Sequence, residues 1–257
     1  SEMEIEGRVA IVTGGAGGLG SAVARHLIAV GMRVVVFDRD AEKASELAES
    51  LGADAVSAGG DVLNDDDVES VIASARSLGT LALLVNVAGG GVGGGRLVGR
   101  KGKLHDREAF ATTMDMNALG TFNVSRYAAA AMGENDPDPD GQRGVIVNTA
   151  SIAGIEGQTG QVAYAAAKAA ILGMTLPMAR DLAPMGVRVC AIAPGTMGTP
   201  IMLAFQERAP VDPAADVVFP KRLGQPEEFA LLVESIARNS YLNGENIRLD
   251  GALRFQP

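Results

Sequence analysis

Tyr164 and Lys168 stand four residues apart in the run YAAAK. On a helix that spacing places a phenol and an ammonium on one face, one turn from each other. A free tyrosine ionises near pH ~10 and is a poor base at neutrality. A fixed cation beside it favours the phenolate, so Lys168 is expected to lower the phenol's pKa and make Tyr164 a general acid or base. Ser151 lies upstream across a glycine-containing turn, SIAGIEGQTG, where its hydroxyl can orient a substrate oxygen. Asn117 sits in the apolar run MDMNALGTFNV. A buried asparagine needs partners; it either distorts its helix and holds a water that relays protons to Lys168, or satisfies a neighbouring backbone group. Alone, Tyr-x-x-x-Lys is an ordinary exposed helical pair, so the elements around it decide its meaning.

Those elements alternate. Residues 8–13, RVAIVT, read as a buried strand, followed at once by GGAGGLG and the helical pattern SAVARHLIAVG. Gly14, Gly18 and Gly20 match the spacing TGxxxGxG. In that arrangement glycines let the backbone approach a pyrophosphate while a helix N-terminus supplies N–H donors. A second strand, 33–37, ends in Asp38, 18 residues past Gly20. An acidic residue about 20 residues on is where a dinucleotide fold holds the adenosine ribose. Its carboxylate accepts from a ribose hydroxyl and repels a 2′-phosphate, which favours NAD over NADP, although Arg39 could receive that phosphate. The pattern continues with a helix over 41–51, a strand near 53–57, a helix over 64–78 and a strand ending at Asn86. Alternation of this kind predicts a parallel sheet with right-handed crossovers and ligands at the carboxyl ends of its strands. Asp61, Asn86 and Gly89 fall at such ends, Asp61 as an adenine contact or a helix cap.

Residues 89–106 form the longest irregular stretch and carry Arg96, Arg100, Lys101 and Lys103. Beside a cofactor cleft they would meet an anionic substrate such as a CoA thioester; otherwise they are a solvated loop. A long helix is expected over 106–132 and a polar, exposed insertion at 133–143. The strand GVIVNTAS then delivers Ser151 to the sheet edge, and a helix over 161–183, which Pro177 should kink, presents Tyr164 and Lys168. Pro194 and Gly195 end a strand over 187–195, and Thr196 and Thr199 offer hydroxyls to a nicotinamide amide. Residues 200–220, with three prolines and weak periodicity, read as a substrate lid. A helix over 226–239 and a strand over 246–249 complete the pattern. The fold class is α/β: residues 1–257 as a single Rossmann-type doubly wound parallel sheet of about seven strands with helices on both faces.

Bulk properties narrow the function. A 47% hydrophobic content with 33 glycines and 4% aromatics suits helices packed closely on an aliphatic sheet. The net charge of −9 offers no footprint for nucleic acid or an anionic membrane. Cys190 is the one cysteine, and His26 and His105 have no ligand partners nearby in sequence, so neither a disulfide framework nor a metal site is expected. No apolar run reaches ~18 residues, and the N-terminus shows neither a signal nor an amphipathic presequence. The expectation is a cytoplasmic protein without a membrane span, short of a mitochondrial presequence already removed.

TGGAGGLG, the run Asn86-Val87-Ala88-Gly89, Asn117, Ser151, Tyr164 with Lys168, and Pro194-Gly195 occur in this order. Together they resemble the short-chain dehydrogenase/reductase family across essentially the whole chain. Val87 departs from it, since most members carry a second asparagine there. GQRGVIVNTAS, IAPGTMGTP, FPKRLGQPEEFALLV and YLNGENIRLDGALR resemble more narrowly the family's type 2 3-hydroxyacyl-CoA dehydrogenases, a group that also accepts hydroxysteroids. The resemblance implies a catalytic set of Asn117, Ser151, Tyr164 and Lys168, with Lys168 holding the nicotinamide ribose. It implies NAD contacts from Gly17, Leu19, Asp38, Asp61, Val62, Val87 and Met197, and a substrate pocket that includes Gln158 and Gln161. It implies a homotetramer built through the helices carrying Asn117 and Tyr164 and through the C-terminal segment. The expected reaction is oxidation of an (S)-3-hydroxyacyl-CoA, with a 3-oxoacyl carrier-protein reductase or another secondary-alcohol dehydrogenase as the nearest alternative. A catalytically silent scaffold is the alternative of another class.

Overall fold

Among the described residues, seven short, mostly apolar runs form strands: β1 (Val9–Thr13), β2 (Arg33–Asp38), β3 (Ala55–Gly59), β4 (Leu81–Asn86), β5 (Gly144–Thr149), β6 (Val187–Pro194) and β7 (Asn246–Leu249). The computed structural model describes residues 2–208 and 212–257. It sets the strands in one sheet in the order β3-β2-β1-β4-β5-β6-β7, every neighbouring pair parallel. Parallel neighbours require crossovers. These are supplied by α1 (Gly18–Ala29), α2 (Ala41–Leu51), α3 (Asp65–Leu78), α4 (Arg107–Met114), α5 (Gly120–Met132), α6 (Val162–Leu182), the short α7 (Pro200–Gln206) and α8 (Pro226–Arg238). The order reverses between β1 and β4, so the loops after those strands diverge and open a crevice at the sheet's carboxyl edge.

The sheet divides the core in two, because successive side chains on a strand point to opposite faces. Ala10, Val12, Val34, Val36 and Val147 pack on α1, α2 and α8 through Leu27, Leu47, Phe229 and Val233. Val9, Ile11, Val35, Ile146 and Val189 pack on α3, α5 and α6 through Val71, Val124, Ala128 and Ala179. Each fully buried Val or Leu contributes about 1.5–3 kcal/mol. Two-faced burial therefore explains why these strands read as continuous apolar runs and not as alternating ones.

Several expected boundaries shift for local reasons. β3 starts at Ala55, because the preceding residues form a turn closed by the Ala55 N–H on the Gly52 carbonyl (3.1 Å). The helix expected over 106–132 is broken by a π-helical turn at Asp115–Leu119 that contains Asn117. α6 continues through Pro177. The stretch Val162–Met185 is long and apolar enough to cross a membrane by length and composition, contrary to the count of apolar runs. Here it packs along β6 and buries the ammonium of Lys168. The insertion at 133–143 is not wholly exposed. Asn135 donates to the carbonyls of Leu81 and Arg143 (both 2.8 Å), and Gln142 is buried against Arg188. The expected lid contains α7, started by Thr199, whose hydroxyl accepts from the Met202 N–H, and by Pro200 at the first turn; its residues 209–211 lie outside the described residues.

Candidate active site

The crevice at the switch between β1 and β4 is a cleft of about 590 Å³. Its floor is the turn after β1, with Gly14, Gly17, Gly18, Leu19 and Gly20. Gly14 has φ +59°, and a Cβ there would lie 2.8 Å from the Ala88 N, so only glycine lets the β1 and β4 loops meet. A Cβ at Gly20 would collide with the Gly14 carbonyl. Gly17 precedes α1 as its N-cap with no side-chain cap, and the first turn holds no acidic residue, which leaves the helix's N–H donors and positive dipole end facing the cleft. Asp40 and Asn64, by contrast, cap α2 and α3 through the N–H groups of Lys43 and Asp67 (both 3.1 Å).

The walls come from three further strand ends. Asp38 closes β2; its carboxylate accepts from the N–H groups of Ala16 and Asp40 (both 3.0 Å). Asp61 and Val62 follow β3 and border the same cleft. Asp61 accepts from the Leu63 N–H (2.9 Å) and pairs with Arg39 at 3.8 Å, while Asn64 serves as the helix cap, so the cap reading of Asp61 is not the one adopted. Val87, Ala88 and Gly89 follow β4, and Thr199 closes the far side. Asn86 itself points inward, donating to Ser125 (3.0 Å) and Asn148 (2.8 Å) under the sheet edge. Thr13 is a residue that sequence reading missed. Its buried hydroxyl accepts from the N–H groups of Val87 and Ala88 (both 3.1 Å) and sets the wall's position. The signal was a hydroxyl at a strand end directly before the glycine turn.

Ser151 leaves β5 and Tyr164 and Lys168 rise from α6 toward the same point. Lys168 is buried, and its Nζ donates to the Thr149 carbonyl (3.0 Å) while standing 5.7 Å from the centre of the Tyr164 ring. Burial lowers its pKa from 10.5 to about 8, so it is still mainly charged at neutral pH. The phenol of Tyr164 is shifted up, because desolvation outweighs the opposing hydrogen bond with Ser151. This reverses the sign expected from Tyr-x-x-x-Lys alone: with Nζ turned to the carbonyl, burial wins. Ser151 Oγ also accepts from the Ala153 N–H (3.1 Å), which orients it.

Asn117 meets this group from the other side. Its amide donates to the carbonyls of Gly90 (2.6 Å) and Thr113 (2.8 Å), and its oxygen accepts from the Gly90 N–H (3.1 Å). The side chain thus satisfies backbone groups of Gly90 and Thr113, and the helix around it is distorted into the π turn. The π turn brings it against Gly89, where a Cβ would stand 3.5 Å from Lys168 Nζ and collide with the Asn117 oxygen.

Beyond β6, Gly195 donates to the Leu249 carbonyl (2.9 Å) and Pro194 ends the strand. Thr196 and Met197 border a second cavity of about 390 Å³, and the buried Oγ1 of Thr196 has no protein partner. Gln158 and Gln161 are placed on the loop after Ser151 and bond within the protein: Gln161 Oε1 accepts from the Gln158 N–H (2.9 Å), and Gln158 Nε2 donates to the Gln256 carbonyl (3.0 Å). His26 is a packing residue, paired with Glu234 at 2.6 Å, and no group of potential metal ligands occurs among the described residues.

The arrangement fits a dinucleotide. A Cβ at Gly14 or Gly20 would fill the glycine floor, uncapped helix donors face the cleft, a carboxylate stands at the end of β2, and beyond β6 the buried hydroxyl of Thr196 has no protein partner. Residues 8–209 match the model of the short chain dehydrogenase family. The chain is 48% identical to human 3-hydroxyacyl-CoA dehydrogenase type-2 over 98% of its length and 97% of the relative's. It is 36% identical to ipsdienol dehydrogenase of Ips pini, over 98% and 99%. A crystal structure of 3-hydroxyacyl-CoA dehydrogenase type-2 from Mycobacterium avium superposes with a TM-score of 0.93 at 48% identity, covering 98% of both chains. The chain therefore belongs to the short chain dehydrogenase family, as an oxidoreductase of a kind that works with a nicotinamide cofactor.

Proposed function

We propose that the protein oxidises the secondary hydroxyl of a 3-hydroxyacyl-CoA to the 3-oxoacyl-CoA with NAD. The observation that carries this reading is the convergence of Tyr164, Ser151 and Lys168 at one edge of the dinucleotide cleft, in a chain nearly half identical to proteins named for that reaction. Bound NAD would supply the hydride acceptor for the carbinol carbon. The Ser151 hydroxyl donates to the substrate oxygen and holds it against Tyr164. Tyr164, as phenolate, takes the hydroxyl proton as the carbonyl forms, so both hydrogens leave in one geometry. The ammonium of Lys168, kept in place by the Thr149 carbonyl, favours that phenolate once the site is assembled. The glycine turn and the α1 donors would hold the pyrophosphate, Asp38 the adenosine ribose, and Thr196 the carboxamide.

Asp38 supports NAD over NADP. Arg39, the residue that could have received a 2′-phosphate, is directed to Asp61. The loop side chains Arg96, Arg100, Lys101 and Lys103 are exposed, and Gly95 of that loop donates to the Gly160 carbonyl (3.1 Å), which sets a basic rim beside the Ser151 loop where CoA phosphates would lie. Leu119, Phe122 and Leu176 stay 45–48% exposed on the π turn, α5 and α6, which fits assembly with further copies of the chain. The test is turnover of 3-hydroxybutyryl-CoA, followed through NADH absorbance, in wild type and Tyr164→Phe. The variant should lose at least about a thousandfold in kcat while binding NADH as before. A wild type inactive on acyl-CoA, or a variant that retains turnover, would overturn the assignment.

A further inference from the structure

The loop after Ser151 has two anchors of different kinds. Its first turn, Ile152–Gly154, lies directly on α6: a Cβ at Gly154 would stand 2.8 Å from the Ala169 N. Its second half, where Ile155 is exposed, is held from outside by the C-terminal segment. Arg248 on β7 donates from Nε to Asp250 (2.6 Å), and from Nη2 to Glu156 (2.7 Å) and the Leu253 carbonyl (2.9 Å). Glu156 also accepts the Phe255 N–H (3.0 Å), and Asp250 accepts from the Ala252 N–H (3.0 Å) and from Arg254 (3.3 Å). The Arg248 and Glu156 side chains are only 23% and 22% exposed, so the cluster is partly desolvated. Two residues beyond Glu156, Gln158 bonds the Gln256 carbonyl. Beneath the cluster Leu253 is buried with Ala150 and Ile152, and Phe255 packs on them.

We propose that Glu156 and Arg248 are positioning residues for the substrate, clamping the loop at 155–161 onto the tail at 250–256 so that Ser151 and Gln158 keep one geometry toward the acyl group. Charge-assisted, forked bonds suit this task, since they fix direction as well as distance. The tail thus acts on specificity without touching the reacting atoms. This inference rests on the proposed reading of Ser151 and Gln158 as substrate-facing.

Glu156→Gln is the test variant, because Arg248 keeps Asp250 as its counter-ion and no buried charge is left alone. In Glu156→Gln the KM for 3-hydroxybutyryl-CoA should rise about tenfold, with kcat changed less than about twofold and NADH affinity unaltered. Glu156→Asp, which keeps the charge, should recover part of the loss. Amide hydrogen exchange at 155–161 should quicken about tenfold in Glu156→Gln, while the strands keep their protection. Unchanged exchange in that loop, or faster exchange with an unchanged KM, would overturn the clamp. An inactive wild type would instead refute the substrate assignment, and the exchange comparison would still decide whether the clamp exists.

Discussion

Lys168 offers the most quantitative check, because the residue that serves chemistry should weaken the fold. Its pKa falls from 10.5 to about 8 through burial alone. At about 1.4 kcal/mol per pH unit, carrying that charge into the interior costs the cofactor-free protein about 3 kcal/mol. The folded pKa lies below the unfolded one. Below about pH 8 both states hold the proton and the full cost is felt; from about 8 to 10.5 the folded state releases it first and the cost fades. Lys168→Met removes the charge but leaves the Thr149 carbonyl unpaired, a loss of about 1 kcal/mol. The variant should therefore be about 2 kcal/mol more stable near neutrality, which for a chain of this size is a Tm higher by about 4–8 °C. Differential scanning calorimetry without cofactor at about pH 7 and about pH 10 reads both the gain and its disappearance. A lower Tm for Lys168→Met at neutral pH, or a difference that does not shrink with rising pH, would refute the reasoning. Turnover should be lost in the variant whatever its stability.

Other consequences can be measured as directly. Ser151→Ala should lower kcat about a hundredfold with little change in NADH binding, read by steady-state kinetics and fluorescence titration. Asp38→Ser removes the carboxylate at the end of β2, so the ratio of kcat/KM for NAD over NADP should fall at least about tenfold. Arg188 is buried and donates to Gln142 (2.6 Å) and to the carbonyls of Ile236 (2.9 Å), Ala237 (2.7 Å) and Leu242 (2.8 Å). Arg188→Met strands those acceptors and should reduce stability by about 3–5 kcal/mol in urea unfolding, with specific activity of the folded fraction retained.

The order of strands and helices was legible because each parallel strand is buried on both faces and each helix on one, which imprints distinct apolar patterns on the chain. The glycine turn, Asp38 and the Tyr164–Lys168 spacing were legible for a related reason: backbone approach, strand ends and helical turns are local geometry. Ends of elements were less so, since the turn at Gly52 and the π turn at Asn117 depend on what packs beside them. Thr13 is marked only by its place before the glycine turn, and the Glu156–Arg248 pair carries no local mark. Thr13 binds residues 74 and 75 positions away, and Arg248 binds Glu156 across 92 positions.

What the sequence by itself determined is the chemistry's vocabulary: a dinucleotide turn, a carboxylate, a hydroxyl and a phenol–ammonium pair set on an α/β frame. Only the tertiary structure decided how those groups behave. The sign of the Tyr164 shift, the depth of Lys168, the bracing role of Asn117 and the hold of the C-terminal tail on the Ser151 loop all depend on desolvation and on partners distant in the chain. Spacing along a helix specifies which groups can meet; burial sets which of their protonation states the meeting favours.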